Sequence, residues 1–425
     1  MQEVRVSSEF SAIIAKSTLE LEPFLNELQK LASSAIEPNV FYEPCMLVPA
    51  MRWLAGTSDI RLVLLFRGGD DRCSRELCGF FPLEVLPRYN HFPVRTARLW
   101  RHQFCYFCAP LLRKGFERET LNAFWAWSAS NRNHWRLVEF DRSPGAGLWH
   151  NLLVDSTASD QRTSLVDVRC TRPILLRAAS ADTYLRTAIS TRHRKDLDKK
   201  EKKLRQLGTV KYDEPASSTQ AEEWIDEFIT IEARGWRGRE GLAIASNDMH
   251  RSFFREAMNA LWRAGRLDVI GLRVNSDLIA VKINLRNGDG SFAFMITFDE
   301  RHSAFSPGLL LEIENIKRVH NDSLVRLMDS CADQHSAMFT RIWSEKCVVE
   351  TLLVSNNSWI GDAWIGMIPL GHYLKKVLLK LALGGVDKVE TANADRAANE
   401  VRDNSDLPKG AEAAASLISS EVAHG

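Results

Sequence analysis

The sequence has almost no net charge, because 55 lysines and arginines face 54 aspartates and glutamates. Bulk electrostatics therefore indicates neither nucleic acid nor an anionic membrane as a partner. A long run of purely apolar residues is also missing. The least polar long stretch, Trp359–Leu383, carries ionisable side chains along its length: Asp362, His372, Lys375, Lys376 and Lys380. This pattern argues against a membrane-spanning helix. The polar, mixed-charge start Met1–Ser11 is unlike a secretory signal.

A second CxxC motif is missing too. The eight cysteines include one such motif, Cys105 and Cys108, whereas a zinc ribbon needs two pairs with similar spacing. Cys73 and Cys78 have the wrong spacing to supply the second pair. We therefore predict no metal site and free, largely buried thiols, which fit a reducing cytoplasm. The chain is long enough for two domains with proper cores.

The most informative segment runs from Arg266 to Asp329. Apolar runs separated by turn-forming residues predict three consecutive strands, then a helix, then another strand. The strands are Leu267–Val274, Leu278–Arg286 and Ser291–Phe298, the helix is Leu309–Val319, and Asp329 ends the last strand.

The helix is entered through Ser306-Pro307-Gly308. Serine at the N-cap and proline in the first turn are common at ordinary helix starts. Several unpaired N–H groups at such an end also bind anions, and a phosphorylated acyl carrier is the obvious candidate.

Further motifs accompany this order of elements. They are Arg192–Leu204 with Gly208, Glu232, Trp236-Arg237-Gly238, Phe253-Phe254, the turn Asn275–Asp277 with Ala280, Asp299-Glu300, Ser306-Pro307-Gly308 and Asp329. As an ordered set they resemble the GNAT superfamily of acyl-coenzyme A-dependent acyltransferases. More narrowly, they resemble its CelD-like branch, named for cellulose-biosynthesis acetyltransferases and related to FemAB-type aminoacyltransferases. The resemblance covers roughly residues 180–330 well and the preceding half more loosely.

A weak internal repeat relates the first half of the chain to the second. Arg61–Phe66 corresponds to Leu267–Val274, Leu77–Leu86 to Leu278–Arg286, Ala109-Pro110-Leu111-Leu112 to Pro307-Gly308-Leu309-Leu310, and Asp141 to Asp329. With the resemblance, this repeat predicts an α/β fold of tandem GNAT-like domains, each a mixed sheet flanked by helices. The expected organisation has five parts: a leader (1–37), a first GNAT-like half (38–172) that is structural or binds the acceptor, an acyltransferase half (173–354), an amphipathic segment (355–384) and a disordered tail (385–425).

Eight basic residues crowd into Thr191–Arg205, against three acidic ones. Leu197 and Leu204 lie on one face, so the segment is predicted to be an amphipathic helix. It is either a solvated surface helix with internal ion pairs or a phosphate-attracting wall beside the cleft. Nucleic-acid binding as its main task is disfavoured, because the segment lacks interleaved aromatic residues for stacking.

Acyl transfer needs a polarised thioester carbonyl, a base for the acceptor's proton, and reactants that are held together. The resemblance implies that the donor's pantetheine arm lies along Ser291–Phe298 on backbone groups around Phe294, Met295 and Ile296. Ser306, Pro307 and Gly308 would bind its phosphates. The candidates for the base are Glu232, Asp299, His302 and Asp329. Trp236, followed by Arg237, is either a core residue or a wall of the acceptor pocket.

The sequence departs from the family pattern at two places. The usual Gly-rich pyrophosphate loop is reduced to Gly308, and the glycine and Tyr-Lys pair that many CelD-like proteins carry after the last strand are replaced here. Cys331 is a further candidate, as a covalent nucleophile, if a base lies near it in space. The amphipathic pattern of Tyr373–Leu383 suits packing on the domain, contact with an anionic membrane surface, or binding to a partner helix.

These patterns predict a cytoplasmic acyltransferase, peripheral to a membrane if Tyr373–Leu383 binds one. It would move an acyl group from acyl-coenzyme A to an amine or hydroxyl of a small molecule or glycan, without a metal. The resemblance suggests an acceptor in polysaccharide or cell-envelope biosynthesis. Two alternatives stay open: a FemAB-like transferase with aminoacyl-tRNA as donor and the basic helix as its dock, and a non-catalytic GNAT-like binding scaffold.

Overall fold

The computed structural model describes residues 2–68, 75–130, 133–332, 336 and 338–374. The chain divides into two units, Met1–Ile365 and Gly366–Gly425. Residues 366–374, the described part of the second unit, are helical. The predicted tail (385–425) and most of the predicted amphipathic segment Tyr373–Leu383 lie outside the described residues.

One mixed sheet crosses the first unit. Its strands are β1 (Gln2–Arg5), β2 (Phe10–Ala15), β3 (Ile60–Arg67), β4 (Glu76–Leu86), β5 (Thr96–Leu99), β6 (Leu111–Leu112), β7 (Leu137–Pro144), β8 (Ser164–Leu176), β9 (Val210–Asp213), β10 (Leu267–Val274), β11 (Asp277–Asn287), β12 (Gly290–Phe298), β13 (Leu327–Asp329) and β14 (Glu345–Ser355). Their order in the sheet is β1-β2-β3-β4-β5-β7-β14-β8-β13-β12-β11-β10-β9, and β6 pairs with β4.

Helices cover the sheet. They are α1 (Thr18–Leu21), α2 (Leu25–Ser33), α3 (Pro44–Trp53), α4 (Glu117–Ser128), α5 (Leu148–Ser159), α6 (Ala181–Ala188), α7 (Thr191–Leu204), α8 (Ser218–Arg234), α9 (Trp236–Arg239), α10 (Asp248–Arg263), α11 (Pro307–Asn321) and α12 (Phe339–Ile342).

The two halves repeat one pairing scheme. Strands β2-β3-β4-β5 and β9-β10-β11-β12 each make three antiparallel pairs, and each series ends in a parallel pair, β5 with β7 and β12 with β13. This confirms the predicted α/β fold of two similar halves. The strand that comes next in each half crosses to the other half. Strand β8, which follows β7 in the chain, pairs with β13 of the second half, and β14, which follows β13, pairs with β7 of the first half. These two exchanged strands, β8 and β14, also pair with each other. The exchange makes one continuous sheet, so the expected boundary at residue 172 falls inside β8.

The predicted strands and helix of the second half are confirmed. Residues alternate between two covered faces of β11: Val281 and Ile283 join the core that contains α8 and α10, whereas Lys282 pairs with Glu312 of α11. Helices therefore cover both faces, which is why the strand is apolar over nearly its whole length.

The first half corrects three expectations. The predicted leader forms β1, β2, α1 and α2, because the apolar run Phe10–Ala15 is a buried strand between β1 and β3. The step Ala109-Pro110-Leu111-Leu112, which the repeat aligns with the start of α11, is not a helix start: Leu111–Leu112 pairs with β4, and α4 begins at Glu117. Asp141 does not end its strand; β7 continues through an irregularity in its pairing with β14 to Pro144.

The halves share a core. Helix α3 packs against α10, and the ring of Phe41 lies 5.0 Å from that of Phe292. Because buried side chains of both halves belong to one apolar cluster, the first half is part of the scaffold that holds β12 and β13 in place.

Candidate functional site

Strand β12 separates from its neighbour β13 part-way along its length. The two strands pair from Gly290↔Leu327 to Phe292↔Asp329, where β13 ends, while β12 continues to Phe298 along β11. Among the described strands, none pairs with the freed edge of β12 beyond Phe292. Backbone N–H and C=O groups on a freed edge can bind an extended ligand as an added strand would.

The predicted donor-binding residues of β12 lie on this edge. Phe294 and Met295 are buried and Ile296 is half-buried. The ring of Phe294 packs edge-on against that of Tyr106 at 5.9 Å. Because the side chains of Phe294 and Met295 are held in the protein interior, contact with a ligand would fall to the backbone, as the resemblance implies.

Ser306 does not cap the helix it precedes. It adopts a left-handed backbone conformation with φ 52° and ψ 52°, and its side chain makes no capping hydrogen bond. Its hydroxyl instead accepts a hydrogen bond from the Lys200 ammonium at 3.1 Å. The interpretation of Ser306 as an ordinary N-cap is therefore wrong. At the N-terminal end of α11 the serine oxygen binds a lysine of another helix and does not bind a backbone N–H of α11.

The first turn of α11 has fewer free donors than the sequence suggested. The Ser306 carbonyl accepts hydrogen bonds from the N–H groups of Leu309 and Leu310, at 3.0 and 3.1 Å. Pro307 has no N–H. Among the residues that the structure describes, no hydrogen bond from the Gly308 N–H is found. One amide, the positive end of the helix dipole and the Lys200 ammonium together favour an anion here.

Gly308 has a packing reason to be glycine. A Cβ atom there would lie 3.1 Å from Cδ1 of the Phe298 ring. The space that the missing side chain leaves is therefore filled by Phe298, at the end of β12. Gly308 therefore has a packing role, and its predicted role in phosphate binding stays a prediction.

The basic segment is confirmed as helix α7, with Leu197 and Leu204 buried. Lys200 pairs with Asp196 at 3.0 Å as well as contacting Ser306. The same helix lines a cleft of about 280 Å³ together with α6 and the outer face of α11. Helix α7 thus lies beside both this cleft and the N-terminal end of α11. The phosphate-attracting interpretation requires such a position, and phosphate binding itself stays a prediction.

Glu232 supports a loop rather than facing a cleft. Its side chain is buried, and its carboxylate accepts hydrogen bonds from the Ile244 N–H at 2.9 Å and the Arg237 guanidinium at 3.4 Å. Burial raises the pKa of Glu232. Both oxygens are engaged in holding the segment between α8 and α10, so the structure gives this predicted base a structural task.

Asp299 is also engaged. It accepts hydrogen bonds from the Arg301 N–H at 3.0 Å and from the Arg301 guanidinium at 2.6 Å, at the start of the 3-10 helix Glu300–Phe305. The hydrogen bond from Arg301 lowers the pKa of the Asp299 carboxyl. A carboxylate with a lowered pKa is a weak base.

Asp329 lies buried at the point where β12 and β13 separate. It binds the Arg172 guanidinium at 3.1 Å and accepts a hydrogen bond from the Cys331 N–H at 2.7 Å. Burial raises the pKa of Asp329 and Arg172 opposes that rise. Burial likewise raises the pKa of Cys331 well above its usual value, so its thiol stays protonated and is a poor nucleophile.

His302 keeps the most freedom of the four predicted bases. It lines an open cleft of about 420 Å³ that also contains Asp299 and Arg301. Its Nδ1 is buried and has no hydrogen-bond partner among the described residues. The structure therefore brings His302 and Asp299 together in this cleft, whereas Asp329 and Glu232 have buried structural partners.

Trp236 is not a core residue. The residue is 49% exposed. Its backbone N–H donates a hydrogen bond to the carboxylate of Glu300, a residue of the 3-10 helix before α11, at 2.7 Å. Arg239 binds the same carboxylate at 2.8 Å. The core interpretation of Trp236 is therefore wrong, and its role as a wall of an acceptor pocket stays a prediction; Arg237 is held nearby by its ion pair to Glu232.

Sequence analysis missed Arg172 and the role of Lys200. Arg172 binds Asp329 and is 157 positions away from it. Lys200 was one of eight basic residues in its segment, and nothing local distinguishes it from the others. The signal that would have singled it out is the helical spacing of three residues from the buried Leu197.

Within the described ranges, no group of three or more His, Cys, Asp or Glu side chains could hold a metal ion. Of the helices that the structure describes, none is long and apolar enough to cross a membrane.

Comparisons with known proteins agree with this geometry. Residues 191–335 match a family model described as an acetyltransferase (GNAT) domain. The matched region contains α7, the freed edge of β12, the N-terminal end of α11 and β13. The match is to the superfamily's domain and identifies no branch within it. No curated protein sequence matches this chain.

Solved structures are similar to this chain, and the fold of one of them, FemX, is shared at a TM-score above 0.5. FemX is 11% identical, with 83% of this chain and 97% of that chain covered and a TM-score of 0.52. A tandem GNAT protein from the clavulanic acid biosynthesis pathway is 12% identical, with 82% and 99% covered and a TM-score of 0.42. A conserved protein of unknown function from Bacteroides thetaiotaomicron is 10% identical, with 80% and 98% covered and a TM-score of 0.48.

Proposed function

We propose, on the premise that residues 191–335 match a GNAT acetyltransferase domain, that the second half transfers an acyl group from acyl-coenzyme A to an amine or hydroxyl. The observation that carries the proposal is the contact of Lys200 with Ser306 at the uncapped end of α11. This positive end follows directly from β12, whose freed edge can hold the extended arm of the same donor.

Each part of the donor has a complementary region of the protein. Its phosphates would lie at Lys200 and the Gly308 N–H, where the helix dipole adds to the ammonium charge. Its pantetheine arm would bind the backbone of Phe294–Ile296. Acyl-coenzyme A supplies the thioester at the end of that arm.

For the acceptor's proton, His302 is the proposed base. Its side chain lines a cleft, and its buried Nδ1 has no hydrogen-bond partner among the described residues. A neutral imidazole nitrogen can accept the proton of an amine or hydroxyl. The acceptor class remains that of the family resemblance, a small molecule or glycan of polysaccharide or envelope assembly.

The exposed cations of α7 favour one second candidate. Five of its basic side chains are exposed, Arg192, Lys195, Lys199, Lys202 and Lys203, and so is Arg205 directly after the helix. Such a surface could dock a polyanion, which suits the FemAB-like alternative with aminoacyl-tRNA as donor. The scarcity of free N–H groups at α11 also suits a donor other than coenzyme A, and a non-catalytic scaffold.

Isothermal calorimetry with acetyl- and longer acyl-coenzyme A tests the proposal. We expect binding by the wild-type protein that weakens about tenfold in Lys200→Ala, since a charged hydrogen bond to phosphate contributes ~1.4 kcal/mol or more. Lys202→Ala is the matched control, because it removes an exposed lysine from the same helix. If no acyl-coenzyme A binds, the proposal fails; protection of the protein by aminoacyl-tRNA would then support the FemAB-like alternative, and no binding of either would support the scaffold.

A further inference from the structure

Four large apolar side chains in the described part of the second unit are exposed. Residues 366–374 are helical, and the four are Met367 (50% exposed), Leu370 (55%), Tyr373 (64%) and Leu374 (50%). Single exposed apolar residues are common on protein surfaces, whereas several on adjacent turns of one helix form a patch that indicates an interaction site. We call these four residues the apolar patch.

Helical spacing places the apolar patch on one face. Met367 and Leu370 are three residues apart, Leu370 and Leu374 are four apart, and both intervals return close to the same side of a helix. Ile368 lies on the other side by the same spacing and is fully buried. The helical stretch therefore has a buried apolar side chain already, and the apolar patch is additional surface.

The sequence continues the same spacing after Leu374, with lysines between the apolar positions. The apolar residues are Val377, Leu378 and Leu381, and the lysines are Lys375, Lys376 and Lys380. From Ala363 to Val386 the sequence contains no aspartate or glutamate, although acidic and basic residues almost balance in the whole chain. The apolar patch is therefore accompanied by a local excess of positive charge.

This charge decides which kind of surface the apolar patch fits. A second copy of the chain would bring the lysines of both copies to one interface, where like charges repel. An anionic lipid bilayer complements both features, because apolar side chains enter the acyl region while lysines contact the headgroups. Tyr373 fits the same boundary, since tyrosine combines an apolar ring with a polar hydroxyl.

We propose that the apolar patch binds the surface of an anionic lipid bilayer and makes this chain a peripheral membrane protein. The helix lies in the plane of the interface with Met367, Leu370 and Leu374 towards the acyl chains. The proposal goes beyond the proposed function and does not depend on it. If both hold, membrane binding concentrates the acyltransferase where lipid-linked acceptors are found.

Co-sedimentation with lipid vesicles tests the proposal. We expect the chain to bind vesicles of phosphatidylcholine and phosphatidylglycerol in equal parts, and to bind phosphatidylcholine alone much less. Leu370→Asp should weaken binding to the mixed vesicles at least about tenfold, because it puts a charge at the centre of the apolar patch. Leu19→Asp is the matched control, since Leu19 on α1 is 76% exposed, and it should bind like wild type. No binding by wild type, or equal binding by Leu370→Asp, overturns the proposal.

A double substitution of lysines tests the charge. Lys375→Gln with Lys376→Gln should weaken binding to the mixed vesicles about tenfold or more and reduce its sensitivity to salt. Lys202→Gln with Lys203→Gln removes two adjacent exposed lysines from α7 and should leave binding unchanged. Equal losses in the two double variants would assign lipid binding to basic residues in general, and the proposal would fail.

Hydrogen exchange locates the contact. With mixed vesicles present, amide exchange in residues 366–374 should slow, while exchange in α7 stays the same. Slower exchange in α7 without a change in residues 366–374 contradicts the proposal. Light scattering without lipid examines the competing occupant: a dimer that Leu370→Asp dissociates would make the apolar patch an interface between two copies and overturn the proposal.

Discussion

The Lys200 ammonium donates a hydrogen bond to the Ser306 hydroxyl at 3.1 Å, across 106 positions of sequence. The contact sets a positive side chain at the positive end of α11. That arrangement is unfavourable in an isolated protein, because the helix dipole favours anions at its N-terminal end. An anionic ligand would offset this repulsion. A substitution at Ser306 that offsets it without a ligand is therefore expected to raise stability and to weaken donor binding.

Ser306→Asp tests this opposition. Aspartate tolerates the left-handed conformation of residue 306, and its carboxylate would pair with Lys200 and the helix end, raising stability by roughly 0.3–1 kcal/mol. It would also occupy the anion site, so the affinity for acetyl-coenzyme A should fall at least about tenfold. Thermal unfolding and calorimetry measure the two effects. Ser246→Asp adds the same charge on another exposed segment and should leave affinity unchanged; unchanged affinity in Ser306→Asp as well would argue against an anion at this helix end.

The pair Lys282 and Glu312 ties β11 to α11. Both side chains are fully buried, and their charged atoms are 2.7 Å apart. Lys282→Met leaves the carboxylate buried without its cation, which should cost about 3–5 kcal/mol in urea unfolding. Lys282→Met with Glu312→Gln should recover most of that loss, because glutamine can still accept the hydrogen bond that Asn315 donates at 2.9 Å.

The surface pair Arg326 and Asp289 is the matched control. Its side chains are each 65% exposed, and Arg326→Met should change stability by less than about 1 kcal/mol. A large loss in the double variant, as large as in Lys282→Met alone, would mean that packing of the lysine chain and not its charge holds α11 in place.

Local pattern was enough to predict the second half. The apolar runs of β10, β11 and β12 are bounded by Asn275–Asp277 and Asn287–Gly290, and turn chemistry of this kind acts over a few residues. The same information did not show that the step after Ala109-Pro110, which the repeat aligns with the start of α11, is a strand. Leu111–Leu112 is a short apolar run with no period, and only its neighbour β4 makes it a strand.

Residues far apart in sequence decide the site, and sequence periodicity does not report them. Asp329 was predicted at a strand end, where ligands gather in α/β sheets, but its partner Arg172 comes from a strand that is exchanged between the halves. Glu232 follows the helical pattern of α8, while its burial depends on Ile244 and Arg237. A carboxylate's availability as a base depends on such partners and not on its position in a motif.

Gly238 shapes the loop that carries Trp236. A Cβ atom there would lie 1.8 Å from the Ala233 carbonyl oxygen, so Gly238→Ala must displace the turn between α8 and α9. We expect a loss of about 1–3 kcal/mol in thermal unfolding. Gly366→Ala is the control, since nothing lies within 4 Å of its Cβ and alanine in a helix gains up to ~1 kcal/mol over glycine. Equal stability of Gly238→Ala and wild type would show that the turn has room to adjust.

Glu139, on β7, makes stability depend on pH. Its side chain is 6% exposed, and burial raises its pKa to about 8. Since the unfolded carboxyl ionises near pH 4.3, the folded state alone holds the proton between about pH 5 and 8. The protonated Glu139 therefore makes its full contribution to the free energy of unfolding at low pH. This contribution is lost as pH rises towards 8, by at most ~1.4 kcal/mol per pH unit.

Glu139→Gln isolates that contribution, because glutamine resembles the protonated carboxyl and does not titrate. Urea unfolding at several pH values should give nearly equal free energies of unfolding for the two proteins near pH 5, and a growing advantage for the variant up to pH 8. Glu222→Gln, which changes an exposed carboxylate on α8, should show a small difference at every pH. A difference between Glu139→Gln and wild type that stays constant from pH 5 to 8 would mean that the buried carboxyl is already ionised in the folded protein, with Arg98 of the neighbouring strand as its counter-ion.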